Sequence, residues 1–355
     1  MKTLFRLTAL ALLALIAYLA LWPVPVAPIA WEAPEDPGYS GAFAPNDRLS
    51  QLQMIDLPGT YGPEDADIGP DGALYAAVHD GGIVRIDGDG NVTPFAQTGG
   101  RPLGVEFGPD GTLYVADAYR GLLSVDTDGT VRTLADRTSE GSPILYADDV
   151  DIGPDGSLYF SDASTRFGAE ANGGTLPASV LDLVEHSPSG RILRHDPATG
   201  ETRVFADGLT FANGVAVTDA VYVVETGAYR VWRYPLEGGP GTVILDNLPG
   251  FPDNINPAPD GTFWIGLVSP RNPVMDGLSN RPGLRAATMR LPAALRPAPT
   301  RYGFVLRMAA DGTVVETLQD PAGGYALTTG AVTLPDGRIA VTSLTEPRLG
   351  ILPAP

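Results

Sequence analysis

Seven residues before five recurring turn aspartates, and six before a sixth whose turn is one residue shorter, stand Glu64, Leu103, Asp148, Asn213, Asp253 and Thr329. Four of these carry a carboxylate or a carboxamide, and neither Cys nor His occupies an equivalent position. Such a set suits a hard cation, and calcium best, because calcium accepts several oxygen donors in flexible geometry. Glu64, Asp148, Asn213 and Asp253 are therefore the expected ligands of one central divalent ion. An ion held there polarises a carbonyl or phosphoryl oxygen, while a carboxylate beside it activates water or attacks directly. Asp253 is the first candidate for that catalytic role and Asp148 the second. Taken singly, the same residues read as strand-start caps: Glu64 follows Gly62-Pro63, Asn213-Gly214 resembles a turn, and Asp253-Asn254 suits an Asx turn. Asp149 and Asn254 follow two of the ligands directly and, by strand alternation, are expected to point away and support them from behind. Leu103 and Thr329 complete the ring and, with His186, are candidates to face substrate.

The elements that must position this ring are repeats. DIGPDGALYAAV (67–78), EFGPDGTLYVAD (106–117), DIGPDGSLYFSD (151–162), NPAPDGTFWIGL (256–267) and VTLPDGRIAVTS (332–343) are five copies of one unit, and VAVTDAVYVVET (215–226) is a degenerate sixth. Asp-Gly between alternating residues signals a hairpin, and a second hairpin follows most copies, as in GIVRIDGDGNVTPFA (82–96). Two hairpins make a four-stranded blade, so the chain is expected to be all-β, a six-bladed β-propeller. The last copy has only RLGIL after it, and a strand from 49–57 is expected to complete that blade and close the ring. Two intervals between turn aspartates are long. They require insertions at 164–188 and 269–301, both after the second strand of a blade, and therefore over the mouth where the inner strands begin.

Composition narrows the chemistry. A net charge of −19 disfavours nucleic acid, which needs a basic face. The absence of Cys removes thiolate and disulfide chemistry, and Lys2, the only lysine, leaves none for a Schiff base in the folded part. Lys2 and Arg6 precede an uncharged run from Leu7 to Trp31, read here as an uncleaved signal anchor over 1–31, with a secretory signal removed by cleavage as the alternative. Either reading exports the remainder. A Pro-rich stalk over 32–48 and the propeller over 49–355 follow. His79 and His195 read as structural. The second insertion holds Arg271, Arg281, Arg285, Arg290, Arg296 and Arg301 against one acid, Asp276. It reads either as a lid whose arginines pair with the acidic body or as one leaning on anionic lipid headgroups.

The strings GPE (62–64), GRPLG (100–104), ADDVDI (147–152), DGLTFANGV (207–215), LPGFPDNI (248–255) and RNPVMDGLSNRP (271–282) resemble the strictosidine synthase-like, or adipocyte plasma membrane-associated protein, family, within the SMP-30/gluconolactonase-type superfamily of calcium-dependent hydrolases. The resemblance runs in order from the apolar N-terminus to the C-terminus. It implies a propeller whose central calcium is held by a Glu after Gly-Pro, an Asn at the start of the third inner strand, the Asn of F-x-N-G and the Asp of P-D-N. These fall on Glu64, Asp148, Asn213 and Asp253, with Asp148 departing from the family's usual Asn. The catalytic Glu of true strictosidine synthases falls on Gly330, which speaks against their condensation. The implied activity is hydrolysis of a small-molecule ester or lactone, and by extension of phosphotriesters. A non-enzymatic, membrane-anchored interaction propeller with structural calcium is the alternative from a different class.

Overall fold

In the first repeat the chain reverses where Gly72 donates its backbone N–H to the Gly69 carbonyl (2.9 Å) at φ +77°. Asp71 keeps a negative φ and instead accepts from the Ala73 N–H (3.2 Å), so the left-handed position falls to Gly alone. The structure is a computed structural model that describes residues 1–354. The alternating residues on either side of such turns pair as antiparallel strands, giving six sheets of four strands each. The inner strands are Ala66–Ile68, Pro102–Phe107, Ala147–Ile152, Ala212–Val217, Gly250–Pro257 and Thr328–Thr333. The sixth sheet takes its outermost strand from Gln53–Asp56, which pairs with Arg348–Leu352 in register from Gln53 opposite Ile351 to Asp56 opposite Arg348. The expected six-bladed propeller and its closure by the early strand are the observed fold, and closing the ring protects the sheet edges. Apolar faces meet between blades, as where Tyr222 of the fourth packs on Phe263 of the fifth with ring centroids 4.4 Å apart.

The apolar N-terminus forms helix α1 (Lys2–Leu21), about 30 Å long, with no buried residue. Both insertions fold over the mouth. The first forms α2 (Thr175–Glu185); the second forms α3 (Pro273–Gly277) and α4 (Pro282–Thr288). Ala178 and Val184 of α2 pack with Leu103, Tyr146 and Phe211 from the blade rims, and Met275 and Met289 of the second insertion lie against the same cluster.

The stalk expectation is corrected. Residues 32–48 lie along the propeller: Tyr39 stacks on Tyr302 at 4.8 Å, and Gln319 Nε2 donates to the carbonyls of Phe43 (3.2 Å) and Ala44 (3.1 Å). The preceding residues cross the mouth as an extended strap, with Val26 buried among the lid residues. Within it Ile29 N–H donates to the Glu185 carbonyl (2.8 Å) and Trp31 N–H to the Ser279 carbonyl (3.1 Å).

The arginine-rich insertion serves this strap. Arg271 donates to the Pro34 carbonyl (2.5 Å), Arg285 to those of Ile29 (3.0 Å) and Leu183 (2.9 Å), and Arg290 to those of Trp22 (2.6 Å) and Leu19 (3.1 Å). An extended Pro-rich segment has no ladder partner, so its carbonyls are satisfied by guanidinium donors. Pairing with the acidic body is confined to Arg301, which meets Glu346 (2.6 Å), and Arg271 pairs within its own insertion with Asp276 (2.9 Å).

Candidate metal centre and lid cavity

The first four inner-strand starts after blade one share an irregularity. Register shifts fall between Pro102 and Val105, Ala147 and Val150, Ala212 and Val215, and Pro252 and Ile255, and a fifth falls between Thr328 and Ala331. Each brackets the ring position and its successor. A bulge breaks strict alternation, so two successive side chains turn toward the channel. The expectation that Asp149 and Asn254 simply point away is corrected on this ground. Asn254 Nδ2 donates to both the carbonyl and Oε1 of Glu64 (3.2 Å each), holding that carboxylate from the side. Asp149 reaches the next blade, where its Oδ2 accepts from Val215 N–H (2.8 Å).

One residue after the ring, the blades alternate: Asp65, Asp149 and Asn254 in blades one, three and five, Gly104, Gly214 and Gly330 in blades two, four and six. A Cβ on Gly104 would lie 2.4 Å from Asp149 Oδ1, and one on Gly330 would lie 2.7 Å from Asn256 Oδ1. The axis has room for three side chains at this level, and the glycines make it. Asp65 Oδ2 and Asp67 Oδ2 accept from Val105 N–H (3.0 Å) and Phe107 N–H (2.8 Å), while Asp151 Oδ2 accepts from Val217 N–H (2.6 Å), so these carboxylates clasp neighbouring blades together.

Glu64, Asp148, Asn213 and Asp253 come together on the floor of a cavity of about 340 Å³ and are all buried. Its walls come from Leu103, Tyr146 and Phe211 below, Leu176, Val180 and Met289 of the insertions above, and Trp31 of the strap. Asn213 Nδ2 donates to Asp253 Oδ1, leaving Asn213 Oδ1, Asp253 Oδ2 and Glu64 Oε2 buried without a hydrogen-bond partner. Burial and the neighbouring carboxylates hold protons on this floor. Glu64 is pushed well up by burial, then Asp253 and Asp148; Asp148 by burial, then Asp253; Asp253 rises to about 7 by burial, against the Asn213 hydrogen bond. Arg101, itself buried, opposes the rise at Glu64 and Asp148.

Three unpartnered buried oxygens and an all-oxygen donor set fit a hard cation. The enclosure is looser than a finished coordination shell. Among the described residues no three His, Cys, Asp or Glu side chains converge closely enough to hold an ion, and one ring amide nitrogen is taken up by Asp253. The fit therefore rests on donor chemistry and on those unpartnered oxygens.

The family model described as "Strictosidine synthase-like, N-terminal" matches residues 41–86, and that described as "Strictosidine synthase" matches 148–239. Adipocyte plasma membrane-associated protein of Bos taurus is 31% identical over 331 residues, covering 85% of this chain and 77% of its own. The Homo sapiens protein of that name is 31% identical, with 92% and 83% covered. The chain belongs to the strictosidine synthase-like family. Among solved structures, a gluconolactonase from Xanthomonas campestris superposes with a TM-score of 0.62 at 17% identity over 94% of this chain and 99% of its own. A calcium-binding protein, regucalcin, from Agrobacterium tumefaciens superposes with a TM-score of 0.60 at 17% identity over 85% and 94%. Those likenesses show the shared fold.

In this strictosidine synthase-like protein the other singled-out residues separate. Leu103 lines the cavity. Thr329 does not; its hydroxyl donates to the Glu64 carbonyl (2.5 Å), so it fixes a ring residue instead of facing substrate. His186 lines the cavity, ends α2 in the left-handed conformation, and is pushed down to about 3 by burial, Arg285 and Arg230, leaving its imidazole neutral. His79 stacks on Tyr61 (4.5 Å) and His195 Nδ1 meets Thr202 Oγ1 (2.8 Å), both outside the cavity. Residue-type counting missed Trp31 and Tyr146 as cavity walls, because an extended strap and a pre-strand loop carry no periodic signal.

Proposed function

We propose that this protein is a calcium-dependent hydrolase of esters or lactones, with α1 in a membrane and the propeller exported to the face opposite Lys2 and Arg6. The observation that carries the reading is the set of unpartnered buried oxygens of Glu64, Asn213 and Asp253 on the floor of a largely apolar cavity. Glu64, Asp148, Asn213 and Asp253 are the residues that would hold the ion. Bound calcium supplies electrostatic stabilisation of the developing oxyanion. Asn254 and Thr329 keep Glu64 in place, and Asn213 orients Asp253 through Oδ1. With Oδ2 toward the ion, Asp253 would accept a proton from the attacking water at the lone pair of Oδ1 that Asn213 leaves open, while the water oxygen bonds to the acyl carbon; the ester C–O bond breaks and the proton passes to the departing alkoxide. Asp148, on the same floor, is the second candidate for that role. The lid and strap exclude bulk water.

The test measures hydrolysis of aryl esters and lactones by the full chain with calcium, with a chelator, and for Asp253→Ala and Glu64→Gln. Calcium-dependent turnover lost in both variants supports the reading. Chelation that lowers the melting temperature while no ester, lactone or phosphotriester turns over replaces it with the interaction propeller.

A further inference from the structure

The exposed large apolar side chains of this molecule are segregated. Apart from Tyr61, Val204 and Val315, those among the described residues fall on α1, on the strap, or on the lid, where Leu176 is 42%, Val274 54%, Leu284 51% and Leu295 68% exposed. No spacer separates α1 from the lid. Tyr18 Oη donates to the Arg290 carbonyl (3.0 Å), and the Arg290 guanidinium in turn holds the carbonyls of Leu19 and Trp22 at the last turn of α1. Tyr18 and Trp22 lie 5.6 Å apart at that same end. Aromatic rings and an arginine at the end of an apolar helix mark the water–lipid boundary, with the apolar residues on one side of it. The boundary therefore passes through the residues that touch the lid, where α4, which carries Leu284, packs against α1. Of the six arginines between Arg271 and Arg301, Arg281 and Arg296 are exposed and paired with no acid among the described residues, and these two suit anionic headgroups. Leu176 is at once exposed and a wall of the cavity.

We infer that the lid lies in the membrane interface beside α1, and that the cavity takes its substrate from the lipid phase: an amphiphilic ester or lactone whose apolar chain enters past Leu176. The substrate clause rests on the hydrolytic reading above; the lid's contact with lipid does not. An apolar chain in the bilayer crosses to an apolar cavity without passing through water, which removes the desolvation barrier that an aqueous entrance imposes.

Because the chain has no cysteine, single labels can be placed cleanly. The full chain in nanodiscs containing anionic lipid, labelled with an environment-sensitive fluorophore at Leu284→Cys, Leu295→Cys or, as control, Val315→Cys on the outer strand of blade five, is read for quenching by acyl-chain-brominated lipid. Quenching of at least twofold at 284 and 295 with none at 315 is expected, and equal water exposure at all three overturns the inference. The kinetic arm compares a water-soluble aryl ester with a long-chain lactone resident in the bilayer for Leu284→Ser/Leu295→Ser. About a tenfold loss on the lactone with less than a twofold change on the soluble ester is expected. Equal losses on both overturn the substrate clause. Lipid quenching with no turnover of either substrate overturns hydrolysis and leaves the lid's lipid contact supported.

Discussion

Trp31 of the strap stacks on His186, the residue that ends α2, with ring centroids 3.9 Å apart and planes 12° apart. The pair joins the segment leaving the apolar helix α1 to the lid over the candidate metal centre. Both rings are cavity walls, so the N-terminal segment is part of the site's architecture.

A chain beginning at residue 23 keeps the strap and should fold with near-native stability, whereas one beginning at residue 37 loses Val26, Trp31 and the Pro34 and Ile29 carbonyls that accept from Arg271 and Arg285. The second should melt several degrees lower. Trp31→Ala should lose about 1–2 kcal/mol, with Trp31→Phe recovering much of it. Thermal unfolding of the four proteins checks this, and equal melting of the two truncations would sink the structural role given to the strap.

Asp182 of α2 accepts from Ser164 Oγ (2.6 Å) and Ser189 Oγ (2.9 Å), yet burial raises its pKa to about 7. A carboxyl whose folded pKa is raised favours the folded state while protonated. That contribution is fully present below the ordinary carboxylate range and is lost as pH rises through about 7. Asp182→Asn, which stays neutral, should therefore gain on the wild type between pH 5 and pH 8 by on the order of 2 kcal/mol. Chemical denaturation at the two pH values reads the difference, and a constant difference would show that Asp182 does not titrate there.

The repeats made much of this molecule legible in sequence. Turn aspartates in register placed the blades, the closing strand and both insertions, and one offset from those turns found Glu64, Asp148, Asn213 and Asp253 together. The next offset held the alternation of Asp65, Asp149 and Asn254 with Gly104, Gly214 and Gly330, which strand periodicity obscured because bulges turn both offsets toward the axis. The strap was opaque for a different reason. Its carbonyls are satisfied by Arg271, Arg285 and Arg290, and a guanidinium that serves a carbonyl looks, by charge alone, like one awaiting an acid or a phosphate.

Gly104 tests the alternation. Its added Cβ would lie 2.4 Å from Asp149 Oδ1 and 2.6 Å from Asp149 Cα, and the latter is backbone that cannot swing aside. Gly104→Ala should destabilise by about 3 kcal/mol. Gly283→Ala, where nothing lies within 4 Å of the new atom in the first turn of α4, should be neutral or slightly stabilising. Urea unfolding of the pair distinguishes a steric requirement at the axis from a general sensitivity to replacing glycine.

Asp253→Asn should change sign with calcium. At pH 8 the Asp253 carboxyl, raised to about 7 by burial, is ionised beside Glu64 and Asp148, whose own ionisation it opposes. An amide preserves an acceptor for Asn213 Nδ2 and removes that repulsion. In chelator the variant should be more stable than the wild type by on the order of 1–2 kcal/mol. In calcium the wild type gains by mass action, about 2.7 kcal/mol at a hundredfold excess over the dissociation constant. The variant, with one charged donor fewer, gains much less, so the order reverses. Thermal unfolding of both proteins at pH 8, with calcium and with chelator, gives four melting temperatures. If the two proteins keep the same order in both conditions, Asp253 is not a ligand of the ion.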